Sequence, residues 1–271
     1  MAVYPYAALD AKMKQNAHPS PEGFLMQPDI LELARFYKTP LGRMSCHLLR
    51  KSLAQRWDPT ENRPMLGLGF ATPYLWPYHP TSVVLAGMPA AQGVLRWPSQ
   101  GYGRTVLLHE DALPFGAASF ERILVAHALE HAYDPMALIQ QLWECLTGQG
   151  ELMIMVPNRL SIWARRDITP FGHGRPYSHG QLEQLTGKIG FTVLSHDYAL
   201  LMPPIRAGWA VTLMPGIERL GIKLGARLGG VHLLHLRKQV FAKPRRQRAR
   251  TLRDMLAKPV LNPVSQKTIQ D

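Results

Sequence analysis

Three polar side chains lie within five residues of one another and could act directly on a bound small molecule. His173, Arg175 and Tyr177 occur in a glycine-bearing stretch that precedes a predicted helix. An imidazole can accept a proton, a guanidinium can hold an anionic group, and a phenol can donate a hydrogen bond. We interpret His173 and Tyr177 as candidate catalytic residues that remove a proton from an oxygen or nitrogen acid. The alternative role of Arg175 is an ion pair that rigidifies the loop.

A second polar group has the spacing of a zinc-binding H-x-x-E-H helix and consists of His127, Glu130 and His131. A zinc site of that kind needs one continuous helix, whereas Asp134-Pro135 starts a new helix shortly afterwards. We therefore predict no metal site here. Instead, His127 is expected to line a ligand pocket and His131 to form local hydrogen bonds.

The elements that must position these side chains alternate between strands and helices. Apolar runs at residues 123–126 and 152–156 predict buried strands. Between them Asp134 caps a helix that begins at Pro135 and ends in a turn at Gly148 and Gly150. This order is typical of a parallel sheet. Further strands are predicted before Gly69 and at residues 82–86, 105–109, 191–199 and 231–241.

Two helices are predicted before the first strand. Asp29 caps one that runs through Tyr37, and Thr39-Pro40 begins a second that ends before Asp58. They have two alternative roles, covering a ligand pocket or covering the edge of the sheet. The predicted organisation is an N-terminal arm with helices at 1–60, a main domain at 61–242 and a basic, flexible tail at 243–271.

Charge and cysteine content indicate which partners and which cellular compartment to expect. The formal net charge is +12, and ten of the 31 Lys and Arg residues lie from Arg237 onward. Such a tail indicates contact with an anionic surface, and the alternative is a solvated tail. Two cysteines, Cys46 and Cys145, form no disulfide framework. With no signal peptide and no long apolar run in the sequence, we expect a cytoplasmic protein without a membrane span.

Six short motifs occur in order between residues 111 and 158: Asp-Ala-Leu-Pro-Phe, Ser-Phe-Glu, Ala-Leu-Glu-His, Asp-Pro, Gly-Gln-Gly-Glu-Leu and Val-Pro-Asn. This series resembles the type 11 domain of the class I S-adenosylmethionine-dependent methyltransferases. The resemblance implies an α/β fold with a Rossmann-like, doubly wound, seven-stranded sheet, N-terminal helices and a basic C-terminal tail. It also implies S-adenosylmethionine as cofactor and a small or lipid-like methyl acceptor.

The resemblance further assigns cofactor-binding residues. The first loop would contact the cofactor through Leu68, Gly69 and Ala71. Asp111 would face the adenine amino group, with Ala112 and Leu113 beside the ring, and His127 would line the same pocket. The alternative for Asp111 is a purely local role in tightening its loop.

The first loop departs from the family pattern of Leu-Asp-Leu-Gly-Cys-Gly-Thr-Gly. Here Gly67 replaces the acid, while Ala71 and Pro73 replace two glycines. No carboxylate follows the second strand to hold the cofactor ribose. These changes favour an alternative function, a catalytically inactive methyltransferase-like domain with a binding or regulatory role. A nucleic-acid partner is not expected, because no Asn-Pro-Pro-Tyr-type motif follows the fourth strand and the basic excess is terminal.

Overall fold

A computed structural model describes residues 28–80, 82–205 and 227–240, together with residues 216, 218 and 221. The helices are α1 (Ile30–Lys38), α2 (Pro40–Ala54), α3 (Thr72–Leu75), α4 (Pro135–Cys145) and α5 (His179–Gly187). The strands are β1 (Met65–Gly69), β2 (Val84–Pro89), β3 (Thr105–Leu108), β4 (Phe120–Ala126), β5 (Leu146–Pro157), β6 (Phe191–Ala199) and β7 (Val231–Lys238). Two 3-10 turns, Trp163–Arg165 and Pro170–Gly172, lie in the connection after β5.

The seven strands form one mixed sheet in the order β3-β2-β1-β4-β5-β7-β6. The first five of these pair in parallel, whereas β7 pairs antiparallel with both β5 and β6. Alternate residues of β4 and β5 belong to two different hydrophobic clusters, one with α1 to α3 and one with α4 and α5. The fold is therefore a doubly wound α/β sheet with both faces covered, as predicted.

Local capping signals place the helices where the sequence predicted them. The carboxylate of Asp29 accepts a hydrogen bond from Leu31 N, and the hydroxyl of Thr39 accepts one from Gly42 N. Asp134 caps α4 by accepting from two backbone N–H groups, and Ser178 forms a capping box with Gln181. Each cap satisfies N–H groups that have no partner within the helix.

Several predicted boundaries were wrong. The second strand is displaced toward the C-terminus and runs from Val84 to Pro89. The helix α4 ends at Cys145, and Leu146 already pairs with Phe120, so Gly148 and Gly150 lie inside β5 rather than in a turn. The pairing of Leu146 is followed by a register shift before Glu151 pairs with Arg122, and no local pattern reveals either partner. The last strand ends at Lys238, before the predicted limit.

Some predictions fall outside the described residues, namely those for the arm before residue 28, most of the 206–226 segment and the tail 243–271. Cys46 and Cys145 are both buried and both free thiols. In the part of the chain that the structure describes, no helix has the length and hydropathy needed to cross a bilayer.

A cluster of imidazoles joins β6, β7 and α5. His196 Nε2 lies 2.9 Å from His232 Nδ1, and the ring of His179 stacks on that of His196 at 4.2 Å. Burial lowers the pKa of His196 from its usual 6.5 to about 4. His179 also lowers it, whereas Glu183 and Asp197 act to raise it. Burial also lowers the pKa of His232 to about 4; its bond to the Tyr177 carbonyl acts to raise that pKa, and His196 and His179 lower it further.

We expect the free energy of unfolding to fall by about 2 kcal/mol as the pH drops from 7 to 4.5, roughly half of what the two shifts alone would give, because solvent screens these partly buried groups. The pKa values of both imidazoles are lower in the folded chain than in the unfolded chain. The unfolded chain therefore binds more protons below pH 6.5, and stability is lost from there down to about pH 4. Urea denaturation at several pH values measures this loss. His196→Gln should reduce the pH dependence, while His109→Gln, at an exposed position, should not. Equal slopes in all three proteins would contradict the assignment.

Candidate functional site

The first loop begins where β1 ends, beside the end of β4. Leu68 is fully buried and pairs with Val125, and Gly69 pairs with Ala126. Gly69 has a φ of +79°, and a Cβ built on it would lie 2.3 Å from the Ala126 carbonyl oxygen. The loop therefore turns sharply back at this point and presses against β4. Ala71, one of the predicted cofactor residues, is also fully buried.

The end of β2 carries no carboxylate, and a buried amide lies just after it. Met88 is fully buried, and its sulfur accepts a hydrogen bond from Leu95 N. Gln92 is 2% exposed, and its side-chain Nε2 donates to the His127 carbonyl. The Oε1 atom of Gln92 is buried without a hydrogen-bond partner among the described residues. Gln92 was not predicted from the sequence, where its only signal was a polar residue in the turn directly after a strand.

The predicted adenine-binding segment lies at the edge of the site and is open to solvent. Asp111 and Ala112 are exposed, and Leu113 is half-buried. The Leu113 N–H donates to Gln141 Oε1, and Gln141 Nε2 donates to the Glu110 carbonyl. A side chain of α4 thus holds the segment in place and leaves the Asp111 carboxylate accessible.

A tyrosine of the N-terminal helix α1 closes the other end of the site. The hydroxyl of Tyr37 lies 2.5 Å from the Tyr74 hydroxyl and 2.7 Å from His127 Nε2. The ring of Phe171 lies 4.9 Å from the His127 ring on another side. Burial raises the pKa of Tyr37 well above its usual value, and the neighbouring Tyr74 raises it further. The space above the ends of β1 and β4 is therefore filled by aromatic side chains of this chain.

A buried carboxylate lies beneath these rings. Glu130 is 1% exposed, and its Oε1 lies 3.4 Å from His127 Nδ1. Burial acts to raise the pKa of Glu130, but His127 and His131 outweigh it and lower the pKa overall. Oε1 and His127 Nδ1 face each other across this ion pair, while Oε2 is buried without a hydrogen-bond partner among the described residues. His127 has a positive φ of 54°, so residues 127–131 form a turn rather than the helix that a zinc peptidase requires.

The structure separates the two candidate catalytic residues. His173 lines a cavity of about 570 Å³ between α1 and residues 167–173. Tyr177 lines a different cavity beside α4 and α5, and its hydroxyl donates to the Leu129 carbonyl. Burial raises the pKa of Tyr177 to about 12. Between them, the backbone N–H of Arg175 donates to the Glu130 carbonyl, which fastens this loop to the turn after β4.

The cavity beside His173 is a candidate acceptor site. Its walls are mainly apolar and include Phe36, Leu41 and Pro170, while Glu32, Arg35 and Asp167 supply charge. A pocket of this kind, with few polar groups in an apolar lining, suits a small organic molecule. Within the described ranges, no group of three or more His, Cys, Asp or Glu side chains is placed to hold a metal ion.

Comparison with solved structures supports the fold. A Thermotoga maritima methyltransferase, a possible histamine N-methyltransferase, matches 78% of this chain and 96% of its own with a TM-score of 0.54 at 14% identity. A Listeria monocytogenes protein assigned as an S-adenosylmethionine-dependent methyltransferase matches 73% of this chain and 100% of its own, with a TM-score of 0.53 and 11% identity. The chain has the Rossmann-like fold of the class I methyltransferases.

The sequence similarity to known proteins covers a smaller part of the chain. Uncharacterised proteins of Mycobacterium tuberculosis and Mycobacterium bovis are 30% identical to this chain over 101 residues. The matched region spans about a third of the chain and of each relative, 35% in both cases. No family model matches the chain.

Proposed function

We propose that this protein is an S-adenosylmethionine-dependent methyltransferase that acts on a small or lipid-like acceptor. The observation that carries this proposal is a set of buried polar atoms without hydrogen-bond partners among the described residues. They are Oε1 of Gln92 and Oε2 of Glu130, and the two residues follow the ends of β2 and β4. The strand order reverses between β1 and β4, and ligands of doubly wound sheets bind outside the carboxyl ends of strands at such a point.

These residues fit the chemistry of the cofactor. Gln92 Oε1 can accept a hydrogen bond from a ribose hydroxyl in place of the usual carboxylate. The exposed Asp111 can accept one from the adenine amino group, and Glu130 offers a buried negative charge to an ammonium group. Tyr37 occupies the hydrogen-bonding position on His127, so binding of the whole cofactor requires α1 to withdraw that side chain.

The chain's own residues would handle the acceptor. When bound, the cofactor supplies an electrophilic methyl group on a sulfonium. His173 lines the acceptor cavity and would take the proton that an oxygen or nitrogen acceptor loses on methylation. Tyr177, with its pKa of about 12, stays protonated near neutral pH and would position the loop through its bond to Leu129.

A second candidate function is a catalytically inactive, ligand-binding or regulatory domain. Three observations favour it: the Tyr37 hydroxyl bound to His127, the buried Met88 at the position of the ribose acid, and Pro73 in the first loop. Proline has no N–H to offer to a ligand. The two candidates differ in whether the cofactor binds at all.

Calorimetric titration with S-adenosylmethionine and S-adenosylhomocysteine distinguishes them. We expect micromolar binding to the full chain, weakened about tenfold by either Asp111→Ala or Gln92→Ala, because each removes a hydrogen-bond acceptor for the cofactor. Glu144→Ala removes an exposed carboxylate from the last turn of α4 and should leave binding unchanged. Absence of heat at millimolar ligand would refute the enzyme and leave the inactive domain.

A further inference from the structure

A second cavity lies beside the first loop and has an unusual charge. It measures about 450 Å³, is open to solvent and is bounded by α1, α2 and the start of α3. Its polar lining comes mainly from four basic side chains, Lys38, Arg43, His47 and Arg50. Among the described residues that line it there is no aspartate or glutamate. We refer to it as the basic cavity.

The positive charges of the basic cavity are not neutralised by the rest of the described chain. None of the ion pairs found among the described residues involves Lys38, Arg43 or Arg50. Arg43 Nη1 instead donates to the Lys38 carbonyl at 2.9 Å, and Arg50 Nε donates to the Pro73 carbonyl at 2.6 Å. A carbonyl oxygen carries no net charge, so each guanidinium retains its full positive charge.

The same carbonyl bonds hold the two guanidinium groups in place. Arg50 also donates to the Pro73 carbonyl through Nη2, so its guanidinium is fixed against the first loop. Its charge lowers the pKa of the neighbouring Cys46 thiol, against the larger effect of burial, which raises that pKa. Because the guanidinium groups are already positioned, an anion that enters the cavity loses less free energy in ordering them.

The remaining wall of the basic cavity is aromatic. Trp76 is 44% exposed, and its ring lies 5.7 Å from that of Trp97. Phe70 and Tyr37 also line the cavity. An exposed indole next to cations provides a flat, apolar contact surface for an organic ligand. The lining therefore has one part that recognises negative charge and one part that recognises an apolar or aromatic body.

We infer that the basic cavity binds a phosphate monoester carried on an aromatic or apolar body. A phosphate monoester has nearly two negative charges at neutral pH and three acceptor oxygens, which match two guanidinium groups and an ammonium group. The basic cavity adjoins the proposed cofactor site, since Tyr37 and Pro73 line it, but its basic side chains are not among the residues proposed to hold the cofactor. The inference stands whether or not the chain transfers methyl groups.

Calorimetry on the full chain tests the inference with matched ligands. Phenyl phosphate is the probe, phenol is its uncharged counterpart, and inorganic phosphate tests whether charge alone suffices. We expect phenyl phosphate to bind at least about tenfold more tightly than phenol, because charge-assisted hydrogen bonds are the stronger kind. The affinity should fall as salt concentration rises.

Variants of exposed side chains locate the binding site. Arg43→Ala and Lys38→Ala each remove one cation from the cavity and should weaken phenyl phosphate binding by about tenfold. Lys51→Ala is the matched control, since Lys51 is an exposed cation on the same helix but does not line the cavity. Each variant is compared with the unchanged protein by thermal denaturation, so that loss of folding is not mistaken for loss of binding.

A parallel flotation assay distinguishes a soluble ligand from a lipid headgroup. It uses phosphatidylcholine vesicles with and without phosphatidic acid, which carries the same phosphate monoester. Flotation that depends on phosphatidic acid, is lost in Arg43→Ala and is retained in Lys51→Ala would identify a lipid source, whereas binding of phenyl phosphate alone would identify a soluble one. The inference is overturned if neither ligand binds, or if Lys51→Ala weakens binding as much as Arg43→Ala.

Discussion

Replacement of Gly69 by alanine is expected to destabilise the protein by about 4 kcal/mol and to abolish the proposed cofactor binding. The φ of +79° at this position strains any side chain, and a Cβ would lie 2.3 Å from the Ala126 carbonyl oxygen and 2.8 Å from the Ala128 Cβ. The neighbouring atom is backbone of the central strand β4, which cannot move away without disturbing the sheet. Urea denaturation followed by circular dichroism measures the loss of stability.

Gly101 provides a matched control for this substitution. Its φ of +76° is nearly the same, but a Cβ built on it would have no heavy atom within 4 Å. Gly101→Ala should therefore cost only the backbone strain, about 1 kcal/mol. The difference between the two variants isolates the contact with β4. Equal losses would show that the close approach of the first loop to β4 is not maintained in solution.

The second substitution with a large expected loss of stability is at Trp57. This side chain is fully buried, its Nε1 donates to Glu151 Oε2 at 2.8 Å, and the guanidinium of Arg122 lies 5.5 Å from its ring. Burial acts to raise the pKa of Glu151, but hydrogen bonds from His235, Arg237 and Trp57 outweigh it and lower the pKa to about 2. Trp57→Ala should lose about 4 kcal/mol through the cavity and the broken hydrogen bond.

Two further variants separate these contributions. Trp57→Phe retains most of the buried ring but removes the donor to Glu151, so we expect a smaller loss of about 2 kcal/mol. Trp76→Ala removes an indole that is 44% exposed and should cost less than about 1 kcal/mol. Thermal and urea denaturation give all three values. If Trp57→Ala lost no more stability than Trp76→Ala, the packing role of Trp57 would be excluded.

The closure of the candidate site by Tyr37 links stability to the proposed function. Its hydroxyl contacts two other elements, at Tyr74 and at His127, and α1 is held to the loop after β2 by the Ile30 N–H bond to the Gln92 carbonyl. Withdrawal of Tyr37 breaks its two side-chain contacts and exposes buried polar atoms. If the proposed cofactor binds, its interactions must supply at least the free energy of those contacts, to which new hydrogen bonds of Gln92 and Glu130 would contribute.

Much of the fold could be read from local signals. Asp29, Thr39, Asp134 and Ser178 begin their helices because each side chain satisfies N–H groups of its own first turn, a short-range interaction. Apolar runs correctly predicted the central strands, because an apolar run is also a signal between neighbouring residues. The motif series from residue 111 to residue 158 correctly predicted a doubly wound, seven-stranded sheet.

The extent of some elements depended on pairing between distant residues. Leu146 continues the apolar spacing of α4, yet it belongs to β5, where Phe120 is its partner across the sheet. Lys238, at the end of β7, donates to the Leu146 carbonyl and so helps to hold Leu146 in the sheet. A local pattern contains neither partner, so the helix was predicted to be too long.

The composition of the site was decided by the tertiary structure. The sequence placed His173 and Tyr177 within five residues, but the loop turns at Gly174, where φ is +79°, and the two side chains line different cavities. Conversely, Tyr37 and His127 are 90 residues apart in the chain and only 2.7 Å apart in space. The sequence by itself determined which helices and strands form, because those choices depend on neighbouring residues. Only the packing of α1 and the loops against the sheet decided which side chains meet.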